Sequence, residues 1–255
     1  MSQDERLPFD RALRRAREAA YPAGEFAEQE SFMRASEIRE LAGRAGIAPG
    51  VSVLDLCCGV AGPGRLLARE LGCAHLGVDA SASAIEIARE RARDLSCRFE
   101  VARVPPLPAG PFDVVLLLET MLAFADKAPL VEAIAAALPP GGRFAFTLEE
   151  GAPLIAAERE LMPDADTVWL TPLAEIGALL DRAGLDVTWQ ADWSRPHAVM
   201  ADALAGAFAV DAAAIAAEIG RPALDGLLSA HRLWGEWLVS GRVRKIALVA
   251  EKARV

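Results

Sequence analysis

Val53-Leu54-Asp55-Leu56-Cys57-Cys58-Gly59-Val60-Ala61-Gly62-Pro63-Gly64 is an apolar strand that carries a carboxylate and runs straight into a glycine-rich turn. Glycine lets backbone approach a ligand closely and accepts conformations that other residues resist. The next stretch, Arg65-Leu66-Leu67-Ala68-Arg69-Glu70-Leu71, has helical periodicity and directs the positive end of its dipole at the same turn. Strand, tight turn and helix start in that order build a nucleotide-binding corner.

Outward from this corner, apolar runs at residues 51–56, 75–78, 98–101, 113–118 and 143–148 alternate with helical patterns. Ala84, Ile85, Ile87, Ala88 and Ala92, for example, share one face after Ser81. Such alternation predicts an α/β fold, with a parallel sheet covered by helices on both faces. Right-handed crossovers put the carboxyl ends of the parallel strands on one edge, where open α/β sheets bind ligands. A later helix is punctuated by Thr171 as N-cap, Pro172 at its first position and Gly184 after its last turn. Strands are expected at 185–191 and 243–250, separated by an alanine-rich segment with helical spacing. This reading divides the chain into an N-terminal helical cap (1–42), a cofactor-binding core (43–193), an inserted helical cap over an acceptor pocket (194–240) and a last core strand (241–255).

A chain of 255 residues with 53% hydrophobic content can bury one large α/β core. Its formal charge of -9 disfavours nucleic acid as a partner, because phosphate backbones are held by concentrated Lys and Arg. Glu119, Asp202 and Asp211 interrupt the most apolar stretches, so no membrane span is expected. The opening residues lack an apolar leader core, which places the expected location in the cytoplasm. Cys57, Cys58, Cys73 and Cys97 form no Cys-x-x-Cys pair, and with three histidines in the chain they read as neither zinc site nor disulfide scaffold. Whether the chain acts as monomer or homodimer stays open.

The corner discriminates among nucleotides. Gly59 and Gly62 fit the second and third positions of the dinucleotide fingerprint, but Cys57 stands at the first, which weakens a nicotinamide-dependent oxidoreductase reading. No Lys-Ser or Lys-Thr follows the glycines, so a triphosphate loop is disfavoured. Asp55 would repel a pyrophosphate and attract an ammonium or sulfonium group. Asp79 closes the second strand, where a carboxylate can accept both ribose hydroxyls of an adenosine or cap the helix that follows.

Residues 53–64, Gly77-Val78-Asp79, the segment from Leu107-Pro108 to Phe112-Asp113-Val114-Val115, and Leu138-Pro139-Pro140-Gly141-Gly142-Arg143 together resemble the class I S-adenosylmethionine-dependent methyltransferases. The resemblance implies a Rossmann-like three-layer sandwich, with a seven-stranded, mostly parallel sheet whose last strand is antiparallel. It further implies S-adenosylmethionine as cofactor. Gly59 and its neighbours Cys58 and Gly62 would meet the methionine moiety, Asp79 the ribose, Ala80 the adenine face, and Arg103-Val104 the adenine edge. The chain departs from the family at Cys57 and Ala61, where many members have glycine, and at Arg103, near which many have an Asp. Arg103 cannot accept a hydrogen bond, so backbone at Val104 is expected to read the adenine amino group.

Methyl transfer from a sulfonium asks a protein mainly to align the acceptor and exclude water. Glu119, after the fourth strand, is a candidate base, acceptor anchor or ammonium ligand beside the cofactor. His197 and His231 are candidate bases from the inserted cap, with plain packing as the alternative for each. Trp193, Met200 and Trp234, with Tyr21, Phe26 and Met33 from the N-terminal cap, are candidate pocket residues, and Arg34 a partner for the cofactor's carboxylate. The Asn or Asp-Pro-Pro-Tyr loop of nucleobase and Gln methylation is absent from 118–121, and no acidic cluster suggests a metal. The expected activity is methylation of O, N or C on a small, partly apolar metabolite. The rivals are a non-methylating enzyme such as a cyclase on the same fold and cofactor, an oxidoreductase, and a non-catalytic cofactor sensor.

Overall fold

A computed structural model describes residues 12–254. Seven strands form one sheet in the order β3-β2-β1-β4-β5-β7-β6. They are β1 (Ser52–Leu56), β2 (Ala74–Asp79), β3 (Cys97–Val101), β4 (Val114–Leu117), β5 (Arg143–Glu150), β6 (Leu185–Asp192) and β7 (Arg244–Lys252). The first five are parallel, while β7 runs antiparallel between β5 and β6. The central strands β1 and β4 are apolar along nearly their whole length, as strands covered on both faces must be. The order reverses between β1 and β4, so the carboxyl ends of these strands open the crevice where such sheets take ligands.

Helices fill both faces. Ile134, Ile176 and Leu180 pack with Phe144, Phe146 and Leu248 in one layer, where helices α5 (Ala128–Ala137) and α7 (Leu173–Arg182) lie. Ile38, Leu41 and Leu67 pack with Val53, Leu116 and Val249 in the other, built from α2 (Ala35–Arg44) and α3 (Gly62–Leu71). Helix α4 (Ala82–Arg91) adds Ile85 and Ala88 against Phe99. Helix α2 thus packs within the sandwich although the sequence assigns most of it to a cap. A short helix α6 (Ala156–Leu161) follows β5. Thr171 was expected to cap α7 with Pro172 as its first residue; the structure starts the helix at Leu173, with Pro172 as its N-cap.

Residues 194–240 form three helices, α8 (Ser194–Val210), α9 (Ala212–Ile219) and α10 (Arg221–Ser240). Phe208, Leu204, Ile215 and Leu224 from these helices bury a separate core with Leu13 and Ala16 of α1 (Ala12–Ala20). The part of the N-terminal cap at residues 1–11 and the final Val255 lie outside the described residues. Among the described residues no single helix is long and apolar enough to cross a membrane.

Candidate active site

The glycine-rich corner leaves β1 through two non-glycine residues in the left-handed region, Cys57 (φ 55°) and Ala61 (φ 57°). These are the two positions that depart from the family's glycines, and they hold the backbone shape that glycine adopts freely. Each costs on the order of 1 kcal/mol, a strain tolerated where the surrounding structure imposes it. Gly59, also left-handed at φ 54°, has open space where a Cβ would stand, so ligand can approach its backbone.

Asp79 fastens the corner. Its Oδ2 accepts from the Gly59 N–H at 2.9 Å and its Oδ1 from the Ser81 N–H at 2.8 Å. The capping of α4 falls to Ser81, whose Oγ accepts from the Ala84 N–H at 3.2 Å. Each carboxylate oxygen therefore keeps a second lone pair for a pair of hydroxyls. The Asp79 carbonyl accepts from the Ala102 N–H at 2.9 Å, which holds the Arg103-Val104 step beside the same edge, next to exposed Ala80.

Several expected roles move. Asp55 is buried, and its Oδ2 lies 3.2 Å from His75 Nε2. Burial opposes a charge on His75, but the Asp55 carboxylate beside it lifts the imidazole to about 9, so the two form an internal ion pair beneath α3. Asp55 is spent on this pair and not on a ligand's ammonium group. The Cys58 side chain packs on Gly77, leaving its backbone for the corner; burial pushes its thiol, like that of Cys57, above the ordinary range, so neither is a ready nucleophile. Over Gly62, a Cβ would strike the carbonyl oxygens of Ala27 and Glu28, so this glycine admits the N-terminal strap in place of a ligand.

The strap itself is clamped. Arg14 of α1, Arg65 of α3 and Arg91 of α4 all reach the Glu28 carboxylate, Arg14 at 2.7 Å and Arg91 at 3.3 Å. Burial works against the Glu28 charge, yet the bonded Arg65 and Arg14 hold it below the usual carboxylate range. Phe26 lies on this strap and lines a small cavity with Val60 and Arg91. Arg34 gives one terminal nitrogen to Glu37 at 2.9 Å, while its buried Nε has no hydrogen-bond partner among the described residues.

Beside the corner, Glu119 takes a left-handed φ of 59° just past β4. Thr147 of β5 holds it there, its Oγ1 accepting from the Glu119 N–H at 2.6 Å and donating to Oε1 at 3.0 Å. Lys245 of β7, 2% exposed, places its Nζ against both Glu119 and Glu149. Burial disfavours every charge here. The Lys245 ammonium nevertheless keeps Glu119 below the usual range, and the two carboxylates raise Lys245 above its own. Oε2 of Glu149 is buried without a partner among the described residues.

This trio borders a chamber of about 250 Å³. Phe32, Leu122, Leu204, Leu227 and Trp234 give it apolar walls; Arg17, Glu30 and His231 add polar groups. His231 Nδ1 lies 2.8 Å from the Leu227 carbonyl, which can only accept, so Nδ1 carries the proton and Nε2 a lone pair. Phe32 and Phe208 meet the ring edge to face at 5.4 and 5.1 Å. Burial first, and Arg17 besides, push the imidazole below the ordinary histidine range despite the Leu227 bond. His231 is therefore neutral near pH 7.

His197, the other expected base, is 0% exposed. Its Nε2 lies 3.2 Å from Glu37 and its ring stacks on Trp193, so it ties α8 to α2 and lines no part of the chamber. Met33, Trp193, Tyr21 and Met200 are likewise core residues, leaving Trp234 as the expected pocket residue that the chamber retains. Lys245, Glu149 and Leu227 were not expected there. A lysine bordering the apolar run Ile246–Ala250 was the available signal, since Lys is almost never fully buried without a partner.

The family model for a methyltransferase domain matches residues 53–142. Methyltransferase GfsG of Streptomyces halstedii is 27% identical over 222 residues, 82% of this chain and 77% of that protein. An uncharacterized methyltransferase, sll0829, of Synechocystis is 30% identical over 152 residues, 55% of this chain and 69% of that protein. Several longer methyltransferases are matched over 21–30% of their own length. In fold, the chain is similar to the cyclopropane synthase MmaA2 from Mycobacterium tuberculosis, with a TM-score of 0.81 at 15% identity, covering 99% of this chain and 95% of that one. With four ordered motifs, the reversed sheet order and the antiparallel β7 in place, the chain belongs to the class I S-adenosylmethionine-dependent methyltransferases.

Proposed function

We propose that this enzyme methylates an oxygen, nitrogen or carbon of a small, partly apolar metabolite held in the chamber beside Glu119. The observation that carries the reading is the chamber itself, an apolar space next to the cofactor corner lined by a histidine whose Nδ1 is held by the Leu227 carbonyl, leaving Nε2 as its basic nitrogen. The corner suits the cofactor because Gly59 is uncovered and both Asp79 oxygens keep a lone pair. When bound there, S-adenosylmethionine supplies a methyl group on a positively charged sulfur.

The protein's own groups do the rest. Asp79 would accept the ribose hydroxyls, the backbone around Gly59 would take the methionine part, and Ala80 and the backbone at Val104 would meet the adenine. Arg34, whose Nε has no partner among the described residues, would pair with the carboxylate. Glu119, kept ionised by Lys245, attracts cationic character at the reacting end. His231 Nε2 would take up the proton that an acceptor hydroxyl or amine gives up on methylation, the methyl–sulfur bonding pair staying with the sulfur. Apolar walls exclude water from that line of approach.

Calorimetry with S-adenosylmethionine and S-adenosylhomocysteine, followed by an acceptor screen with methyl-labelled cofactor, tests this reading. Labelled product supports it. Cofactor binding with conversion of a substrate that gains no label would establish the cyclase-type rival instead. Asp79→Ala should weaken S-adenosylhomocysteine by at least about 100-fold, since two hydrogen bonds to a charged group contribute about 1.5–3 kcal/mol each. An unchanged affinity would leave Asp79 with the corner's backbone alone.

A further inference from the structure

The chamber's charges do not balance. Among the described residues that line it, two cations, Arg17 and Lys245, stand against three carboxylates, Glu30, Glu119 and Glu149. Arg17 pairs with Glu30 at 2.7 Å, and His231 is neutral, so the excess lies in the buried trio. There one ammonium serves two carboxylates, Glu149 directly opposite it across β5 and β7 and Glu119 beyond β4.

The two carboxylates are satisfied unequally. Glu119 has the Thr147 hydroxyl as well as the ammonium, while Glu149 gives Oε1 to Lys245 and its Oε2 finds no partner among the described residues. Glu149 is 8% exposed, so bulk water offers that oxygen little. Its charge also reaches Lys127, but that ammonium donates to the Phe124 and Trp169 carbonyls, at 2.7 and 2.9 Å, and lies outside the chamber lining. A buried carboxylate oxygen without a donor is costly, and a buried negative charge in excess is costlier still. Both costs are relieved by a ligand that brings one positive charge on N–H donors. Rotation of the carboxyl group about its soft last torsion lets either oxygen meet such a ligand from the chamber. The aromatic side chains of Phe32 and Trp234 in the same lining also attract a cation.

We propose that the acceptor enters this chamber as a cation, its ammonium group held on Glu149 and its apolar body on Leu204, Leu227 and Trp234. This deepens the methyltransferase reading above and rests on it. An ammonium nitrogen has no lone pair, so in this form it anchors the molecule and does not attack the methyl group. Acidic acceptors are disfavoured by the same excess charge.

The test uses the full chain saturated with S-adenosylhomocysteine and titrated calorimetrically with phenethylammonium. Phenethyl alcohol and hydrocinnamate are the neutral and anionic comparisons. The ammonium should bind at least about tenfold more tightly than the alcohol, and hydrocinnamate should not bind, because a charge-assisted hydrogen bond is about twice as strong as a neutral one. Glu149→Gln keeps the shape and an oxygen for Lys245 but removes the excess charge. It should weaken the ammonium at least about tenfold and leave the alcohol unchanged. Asp202→Asn removes the same charge at an exposed position of α8 and should bind as the parent. Equal affinity for ammonium and alcohol, an equal loss in Asp202→Asn, or a preference that survives Glu149→Gln overturns the proposal. Sinefungin carries an ammonium where S-adenosylmethionine has its sulfonium. A preference that persists with sinefungin in place of S-adenosylhomocysteine supports the proposal, whereas one that disappears assigns the excess charge to the cofactor's own cation and overturns it. Failure of S-adenosylhomocysteine to bind would sink the methyltransferase reading itself, while intact cofactor binding without an ammonium preference sinks this proposal alone.

Discussion

His231→Gln is expected to lower kcat by about 100-fold or more with the acceptor that the labelled-cofactor screen identifies, because a positioned base contributes about 10²–10⁴. Glutamine keeps a side chain of similar reach but has no basic nitrogen. The pH profile separates this role from packing. His231 is held below the ordinary 6.5 by burial and by Arg17, so its base form persists to lower pH. In the parent enzyme kcat/KM should fall on the acid side with a midpoint below 6.5, and in His231→Gln that limb should vanish. S-adenosylhomocysteine affinity should stay unchanged, since the ring stands in the chamber and not in the corner. A loss under threefold, or a retained acid limb, would assign His231 to the aromatic packing of Phe32 and Phe208 and nothing more.

The cofactor half of this site was legible in the sequence because it is local. Strand, glycines and Asp79 occupy a stretch of 27 residues from Val53, and their geometry follows from one crossover. Cys57 and Ala61, which stand where many family members have glycine, hold the left-handed φ that the loop imposes. The acceptor half was poorly legible because it is assembled from distant segments. Phe32, Glu119, Glu149, Leu204, His231 and Lys245 come from six separate elements or loops, and no periodicity links them. Aromatic residues misled for the same reason. Trp193 and Trp234 carry similar local patterns, yet one stacks on His197 in the core beside the sheet and the other faces the chamber. His197 and His231 divide likewise, according to whether a buried carboxylate or a helix carbonyl lies within reach.

Lys245→Met should destabilise the enzyme by about 3–5 kcal/mol at pH 7, the range observed when one partner of a buried ion pair is removed. The cause is what remains. Glu119 and Glu149 would face each other without the ammonium between them, and one Glu149 oxygen already lacks a partner among the described residues. The pH dependence reveals the mechanism. In the parent, Glu119 lies below its ordinary 4.5, so its contribution is present above that value and lost as pH falls through the folded one. Lys245 lies above its ordinary 10.5, so its contribution is present below that value and lost as pH rises through the folded one. Between these limits the parent's network should show little pH response. Without the ammonium, burial raises Glu119, the folded state binds the proton that the unfolded state has released, and stability should increase as pH drops from 8 toward 5. Urea unfolding at both pH values measures this sign. Adding Glu149→Gln to Lys245→Met should restore part of the loss by removing one of the opposed charges, whereas a pH-independent loss that Glu149→Gln does not relieve would mean that Lys245 acts through its packed aliphatic stem.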